Sequence, residues 1–215
     1  MKKKYDIRVE NSAPSQTRPA ASVTWAAGSL APEGVTSIVD LGCGRLRNLR
    51  IFREHFSDVT LVDTKLQCDR IAGKVPHDSS VRLLPIAEFA KEKREYDAVF
   101  IISVLHIIPE LSDRKALLTL TRRRVRELGF LIVDVPSGEH YYSVHCTKNN
   151  RYRDGWVMGK GPIKTFYRNY KPEEIEGIVR SCTGFQLYRK ASLAKHIVRI
   201  WQKREQVRNP RNDHT

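Results

Sequence analysis

Residues 37–44, which read Ser-Ile-Val-Asp-Leu-Gly-Cys-Gly, decide the fold of this chain. The β-branched run before Gly42 predicts a buried strand, and the polar segment after Gly44 predicts a helix. Glycines at such a junction allow a tight turn and let a ligand lie against the backbone, where a Cβ would block its approach. A dinucleotide-binding turn would need a third glycine at position 47, which is Arg47. The stretch therefore predicts a strand, a different ligand-binding turn and a helix.

Strand and helix patterns alternate from this turn to Pro136. Apolar, β-branched runs that predict strands occur at residues 37–42, 58–63, 80–85, 96–103 and 129–136. Polar, helix-like segments separate them at residues 45–56, 65–73, 86–95 and 112–127. Gly129 is expected to end the last of these helices. Because continuous apolar strands that alternate with helices are typical of a parallel sheet buried on both faces, the sequence predicts an α/β fold.

The pattern changes after Pro136. Residues 137–170 show no period and predict a long irregular insert that is rich in glycine, cations and aromatic residues. A helix is predicted over residues 172–182, and residues 185–191 and 195–203 predict two strands joined by a short turn. The chain is accordingly expected to have three parts, namely an N-terminal arm and helix at 1–36, one domain with its insert at 37–204, and a basic tail at 205–215.

The charge of the chain is strongly positive. Its 215 residues include 38 Lys and Arg against 24 Asp and Glu, which gives a formal net charge of +14. Residues 136–215 hold 16 of the basic and 7 of the acidic side chains, and so carry most of the excess. A field of this kind attracts polyanions such as nucleic acid.

Composition argues against several other classes of protein. The longest apolar stretch, residues 98–108, is about half of the roughly 20 residues that a membrane span requires. The N-terminal lysines are not followed by the apolar segment of a secretory signal. The four cysteines form no C-x-x-C pair, which argues against a zinc ribbon and against a disulfide scaffold. We therefore expect a soluble, cytoplasmic monomer or homodimer with no membrane partner and no metal.

The turn at Asp40–Gly44 resembles motif I of the class I S-adenosylmethionine-dependent methyltransferases, whose pattern is D/E-x-G-x-G. The resemblance covers residues 37–201 and implies a three-layer, doubly wound, mostly parallel seven-stranded sheet with a C-terminal antiparallel hairpin. It implies S-adenosyl-L-methionine as the cofactor, with the carboxylate and the glycine loop holding its methionine part. Asp63 stands 21 residues after Gly42 and would accept the ribose hydroxyls, a task that suits a carboxylate.

Further cofactor contacts follow from the same resemblance. Family members often place an acidic residue after the third strand for the adenine amino group, and here Ala87 and Glu88 stand near this place. The stretch from Ser103 to His106, Ser-Val-Leu-His, resembles the fourth motif of methyltransferases of small molecules and RNA, and not the D/N/S-P-P-Y motif of enzymes that methylate planar amino groups. The predicted cofactor-binding residues are Asp40, Gly42, Cys43, Gly44, Asp63, Thr64, Ala87, Glu88, Ser103 and Val104.

Histidine and tyrosine side chains beside the carboxyl edge of the predicted sheet are candidate catalytic groups. His106 follows the fourth strand, where an imidazole that titrates near neutral pH can act as a general base. The alternative is that His106 only packs beside the cofactor. His140 and Tyr141 follow the fifth strand and can reach the same cleft. A metal site completed by His145 and Cys146 is not expected, because these residues lack the paired spacing of metal ligands.

The insert interleaves cations with aromatic residues, a combination that binds phosphates while it stacks on bases. The predicted nucleic-acid contacts are Lys148, Arg151, Arg153, Lys160, Lys164 and Arg168. Three functions stay open, namely methylation of RNA or another nucleic acid, which the charge favours, methylation of a small anionic metabolite, and binding without catalysis. The alternative for the insert is a lid whose aromatic residues pack on its own domain.

Overall fold

A computed structural model describes residues 5–9, 18–159 and 162–205 of the chain, with Tyr141 described by its backbone alone. The strands of these residues are β1 (Asp6–Ile7), β2 (Ser37–Leu41), β3 (Asp58–Asp63), β4 (Val81–Pro85), β5 (Tyr96–Ile102), β6 (Val125–Pro136), β7 (Arg151–Tyr152), β8 (Gly155–Met158), β9 (Ile163–Tyr167), β10 (Gln186–Leu193) and β11 (His196–Gln202). The α-helices are α1 (Ala21–Leu30), α2 (Leu49–His55), α3 (Lys65–Ile71), α4 (Ile86–Phe89), α5 (Leu111–Arg124) and α6 (Pro172–Thr183).

A seven-stranded sheet with the order β10-β11-β6-β5-β2-β3-β4 forms the centre of the molecule. Its strands are parallel except β11, which runs antiparallel to both of its neighbours. Strand β5 is buried along its whole length, because helices cover both faces of the sheet. Ile38 packs with α1 and α2 on one face, while Val39, the next residue, packs with α5 and α6 on the other. The predicted three-layer, mostly parallel α/β fold is confirmed.

The predicted end of the fourth helix is wrong. Helix α5 stops at Arg124, and the chain then continues directly into β6 instead of turning at Gly129. Gly129 lies inside β6, where a Cβ would come within 2.8 Å of the carbonyl oxygen of Asp97 on the neighbouring strand. The absence of a Cβ at Gly129 therefore lets β6 approach β5 closely next to a β-bulge, and the residue does not end a helix.

The insert is more regular than predicted. Strands β7, β8 and β9 form an antiparallel unit, and β1 from the N-terminal arm adds to β9 in parallel, so that a second sheet has the order β1-β9-β8-β7. Its strands are only two to five residues long. Such short strands leave no visible period in the sequence, because each contributes at most two buried residues.

A buried ion cluster fastens this small sheet to the central domain. Asp154, between β7 and β8, accepts from Arg114 of α5 at 2.6 Å and also from Arg168, which follows β9. Arg168 forms a second ion pair with Glu174 on α6. The Arg114 side chain is only 1% exposed, so its charge depends on the carboxylate of Asp154 for compensation. The insert therefore has a fixed position beside the carboxyl edge of the sheet.

The described ranges contain no helix long and apolar enough to cross a membrane. Within the same ranges, no group of three or more His, Cys, Asp or Glu side chains is arranged to hold a metal ion.

Candidate active site

The turn after β2 has the backbone geometry that its glycines predict. Gly42 adopts φ +90° and Gly44 adopts φ +55°, both in the left-handed region that glycine enters without strain. The amide of Gly42 donates to the carbonyl oxygen of Val62 at 2.7 Å, which ties the turn to the end of β3. A Cβ on Gly42 would overlap a γ-methyl group of Val104. The turn therefore leaves its backbone open toward the space between β2 and β5.

A cleft of about 210 Å³ lies in front of this turn. The residues that line it include predicted ones and others that come from four different loops and helices. They are Val9, Leu41, Gly42, Cys43, Gly44, Arg45, Arg47, Asn48, Asp63, Thr64, Gln67, Ile86, Ile102, Ser103, Val104, Ile107, Ile108 and Leu117. The cleft sits at the carboxyl ends of parallel strands, where open α/β sheets bind their ligands.

Asp63 organises the floor of the cleft. Its two carboxylate oxygens accept from the amides of Gly44 and Thr64, each at 2.8 Å. Thr64 caps α3 by accepting from the amide of Gln67, whose side chain in turn donates to the carbonyl oxygen of Gly44 at 2.6 Å. The carboxylate, the glycine turn and the start of α3 therefore form one hydrogen-bonded unit.

Asp40 is a buried acid beneath the turn. It is 1% exposed, and its Oδ2 atom has no hydrogen-bond partner among the described residues. Burial raises the pKa of Asp40 to about 7, although the Arg47 guanidinium acts in the opposite direction. An unpartnered buried carboxyl oxygen beside a cleft is suited to a cationic ligand group, such as the amino end of a methionine moiety. Together with the open glycine turn, this arrangement fits the expected cofactor.

The adenine end differs from the sequence prediction. Ile86 lines the cleft, whereas Ala87 and Glu88 are exposed and lie outside the lining residues. The physical reason is that α4 begins at Ile86, so its first side chain points at the cleft and the next two turn away around the helix. Cys43 also lines the cleft. Burial, with the charge of Asp40 as the next cause, raises the pKa of its thiol, which therefore stays protonated.

Ser103 begins a hydrogen-bonded chain that leads out of the cleft. This residue adopts φ +56°, a strained conformation for a serine, directly after β5. Its hydroxyl accepts from the Arg47 guanidinium at 3.4 Å and donates to Oδ1 of Asp134 at 3.4 Å. The same Oδ1 atom accepts from Nδ1 of His196 at 2.5 Å.

The pair formed by Asp134 and His196 was missed by sequence reasoning. The two residues lie 62 positions apart and meet only because β6 and β11 pair. The one signal in the sequence is that Asp134 lies near the end of the predicted strand at 129–136 and His196 near the start of the predicted strand at 195–203.

His106 and His140 lie beside the same tyrosine, Tyr167, and neither is among the residues that line the cleft. Tyr167 links them, with ring centroids 5.8 Å from His106 and 6.0 Å from His140. Burial, with the neighbouring His196 as the next cause, lowers the pKa of His106 to about 3 and that of His140 to about 4. Nδ1 of His106 is buried and has no hydrogen-bond partner among the described residues, so protonating this ring would bury an uncompensated charge. This disfavours His106 as a base. The side chain of Tyr141 lies outside the described residues.

The predicted nucleic-acid contacts divide into two groups. Arg153 pairs with Glu110 at 2.6 Å, Lys164 donates to the carbonyl oxygen of Gly159, and Arg168 is 8% exposed within the ion cluster. These three cations already have partners inside the protein. The charge of Arg168 is buried and neutralised, so this residue is not accessible to a nucleic acid. Lys148 and Arg151 are exposed. Lys160 lies outside the described residues.

Comparisons with known proteins agree with this site. A family model described as a methyltransferase domain matches residues 39–133. No curated protein matches the sequence. The fold is similar to that of 1,6-didemethyltoxoflavin-N1-methyltransferase from Burkholderia thailandensis, solved with its substrate and S-adenosylhomocysteine, at 18% identity and a TM-score of 0.61, covering 86% of this chain and 79% of that chain.

Two further structures show the same fold with a bound cofactor or product. Magnesium protoporphyrin IX methyltransferase from Synechocystis PCC 6803, with bound S-adenosylhomocysteine, has 17% identity and a TM-score of 0.59, covering 86% of this chain and 82% of that chain. Human N-acetylserotonin methyltransferase, in complex with S-adenosylmethionine, has 15% identity and a TM-score of 0.61, covering 86% of this chain and 51% of that chain.

Residues 39–133 match the methyltransferase-domain model, and the fold is the one that S-adenosylmethionine-dependent methyltransferases share. The neighbours solved with S-adenosylmethionine or S-adenosylhomocysteine are consistent with S-adenosyl-L-methionine as the cofactor, which the glycine turn and the buried Asp40 fit. When bound, this cofactor supplies an activated methyl group whose sulfur leaves as a neutral thioether. The chain itself has to bind and align the acceptor, exclude water and manage the acceptor's proton.

We expect cofactor binding to depend on pH through Asp40. Below pH 7 this carboxyl is mostly protonated, and a bound cation would drive its ionisation, so binding should release a proton and the affinity should rise between pH 5.5 and about 7. Calorimetry with S-adenosylmethionine at pH 6, in two buffers of different ionisation enthalpy, measures this release. Asp40→Asn should abolish both effects, while Asp113→Asn on exposed α5 should preserve them. Equal proton release in wild type and Asp40→Asn would exclude Asp40 as the source.

Proposed function

We propose that the methyl acceptor is RNA or another nucleic acid. The observation that carries this proposal is a surface hollow in the insert, lined by Cys146, Thr147, Lys148, Arg151 and Trp156. The guanidinium of Arg151 lies 4.7 Å from the centre of the Trp156 indole, so a cation and an aromatic face are presented together. Such a combination binds a phosphate and a base at the same time.

The charges around this hollow support the same acceptor. Neither Lys148 nor Arg151 forms an ion pair with a carboxylate in the described part of the chain, and both are exposed. The rest of the protein adds a long-range attraction, since the net charge is +14. An anionic polymer would therefore be drawn to the protein and find unpaired cations beside the insert.

A small molecule is the second candidate acceptor. The three enzymes named above are called methyltransferases of 1,6-didemethyltoxoflavin, magnesium protoporphyrin IX and N-acetylserotonin, all of them small molecules. In addition, Arg153 forms an ion pair with Glu110 and Arg168 forms one with Asp154. These pairs remove two of the cations that a nucleic acid would use. An acceptor of this kind would enter beside the apolar residues Ile107 and Ile108 of the cleft.

Incubation with methyl-labelled S-adenosylmethionine separates the candidates. The full chain is mixed with cellular RNA, DNA, protein and small-molecule fractions, and the fraction that takes up the label is identified. Label in RNA or DNA supports the proposal, whereas label only in the small-molecule fraction supports the second candidate. Cofactor binding without label in any fraction would favour a binding protein that lacks catalysis.

We expect the hollow to control binding to nucleic acid. Lys148→Gln combined with Arg151→Gln should weaken binding to a short single-stranded RNA about tenfold or more at 0.15 M salt, and should reduce the salt slope by about two. Fluorescence anisotropy across a salt series measures both quantities. Arg122→Gln combined with Arg123→Gln, two exposed cations on α5, removes the same charge elsewhere. Equal losses in both double variants would show that net charge alone acts, which contradicts a specific site.

A further inference from the structure

The strand register places His196 and Asp134 on one face of the sheet. His196 begins β11 opposite Pro136 of β6, and Asp134 lies two residues earlier on β6, opposite Val198. Since side chains two residues apart on a strand share a face, the carboxylate and the imidazole are diagonal neighbours. The hairpin tip before His196 is held in place, because the amide and the hydroxyl of Ser137 both donate to the carbonyl oxygen of Lys195.

The hydrogen bond fixes the state of the imidazole. Asp134 is 2% exposed and accepts from Nδ1 of His196 at 2.5 Å. The Nδ1 atom therefore carries a proton, which leaves Nε2 as the acceptor atom of the neutral ring. The His196 side chain is 19% exposed, so that it can be reached from outside while the carboxylate behind it is closed to water.

The pair also borders the cofactor cleft. Ser103, which lines the cleft, donates to the same Oδ1 atom that binds His196. On its other side, the His196 ring meets the ring of His140, with 4.9 Å between centroids. His196 thus lies between the wall of the cleft and the first turn of the insert, on the side of the sheet where the acceptor must approach.

We propose that His196 is the general base of the methyl transfer and that Asp134 positions it. This inference rests on the methyltransferase class of the chain and on an acceptor that carries an O–H or N–H proton, and it holds for a nucleic acid and for a small molecule alike. Nε2 of His196 takes the proton of the acceptor. The electron pair of that O–H or N–H bond then forms the new bond to the methyl carbon, while the carbon–sulfur bond breaks and its pair stays on sulfur.

The proton remains on the imidazolium until it passes to solvent. Asp134 stabilises this cation through the hydrogen bond at Nδ1, and it holds the ring in the tautomer that can accept. His140 has a different hydrogen-bonding pattern, because its Nδ1 accepts from the amide of Tyr142 at 3.4 Å and faces the hydroxyl of Tyr167 at 3.3 Å. His196, by contrast, has a carboxylate at a ring nitrogen.

Nitrogen NMR of the full chain labelled in histidine tests the tautomer without any acceptor. In the neutral ring of wild type, we expect Nδ1 of His196 to be protonated and Nε2 to be bare. In Asp134→Asn, a large part of the population should shift to the Nε2–H tautomer. The signal is assigned by its loss in His196→Gln. A wild-type ring with its proton on Nε2, or an unchanged ring in Asp134→Asn, would overturn the proposal.

Label transfer into the accepting fraction tests catalysis. His196→Gln should lower transfer about 100-fold or more, while the Kd for S-adenosylmethionine measured by calorimetry stays within about twofold of wild type. Asp134→Asn should lower transfer by a smaller factor, and His55→Gln, an exposed histidine at the end of α2, serves as the control. Unchanged transfer by His196→Gln overturns the proposal whichever fraction takes the label. If no fraction takes label, the proposed acceptor fails and the NMR result still decides the role of His196.

Discussion

Replacing Gly42 with alanine should weaken the binding of S-adenosylmethionine by about 100-fold or more. Gly42 adopts φ +90°, where an alanine is strained by about 1–3 kcal/mol. The added methyl group would also overlap Val104, a branched side chain with no freedom to fold away. Since about 2.7 kcal/mol corresponds to a 100-fold change in Kd, the strain and the displaced turn together account for the expected loss.

The other glycines supply matched controls for this result. Gly44→Ala introduces strain at φ +55° but meets no neighbouring side chain within 4 Å, so it should cost less than Gly42→Ala. Gly28→Ala in α1 has open space around its Cβ and should leave the affinity unchanged. Adding Val104→Ala to Gly42→Ala should recover part of the binding. Calorimetry gives the affinities and circular dichroism verifies folding. Wild-type affinity in a folded Gly42→Ala would show that the cofactor does not use this turn.

The cofactor half of the site could be predicted because its signals are local. Gly42 and Gly44 sit within one turn, and their conformations follow from the absence of a Cβ rather than from distant packing. Asp63 ends the next strand, so parallel pairing brings it to the same edge without any further assumption. The central sheet could also be predicted, because the alternation of apolar strands with helices is likewise a local signal in the sequence.

The acceptor half depended on contacts between distant parts of the chain. Asp134 meets His196 only through the register of β6 with β11, and Arg168 is neutralised by Asp154 through the turn of a small sheet. A cation in a basic segment looks free in the sequence, because pairing partners leave no periodic signal. Gly129 was misinterpreted for a related reason, since its role depends on how closely Asp97 approaches from the neighbouring strand.

Removing the carboxylate of Asp63 should weaken cofactor binding by about 100-fold to 1000-fold. Its oxygens hold the amides of Gly44 and Thr64 at 2.8 Å, and a carboxylate has about four lone-pair sites, enough to accept the ribose hydroxyls as well. Hydrogen bonds to a charged group contribute about 1.5–3 kcal/mol each, so the loss of two bonds near the lower end of this range accounts for the expected factor. Calorimetry with S-adenosylhomocysteine measures the effect in Asp63→Ala, with Asp69→Ala at an exposed position of α3 as the control.

A ribose analogue separates ligand contact from support of the turn. If Asp63 binds the hydroxyls, wild type should lose most of its affinity for 2′,3′-dideoxy-S-adenosylhomocysteine, whereas Asp63→Ala should bind the analogue and the parent compound almost equally. If Asp63 only holds Gly44 and Thr64 in place, both proteins should discriminate between the two compounds to the same degree. The four affinities form a double-mutant cycle that compares ratios, so a general loosening of the turn cancels. Equal discrimination by the two proteins would contradict ribose recognition by Asp63.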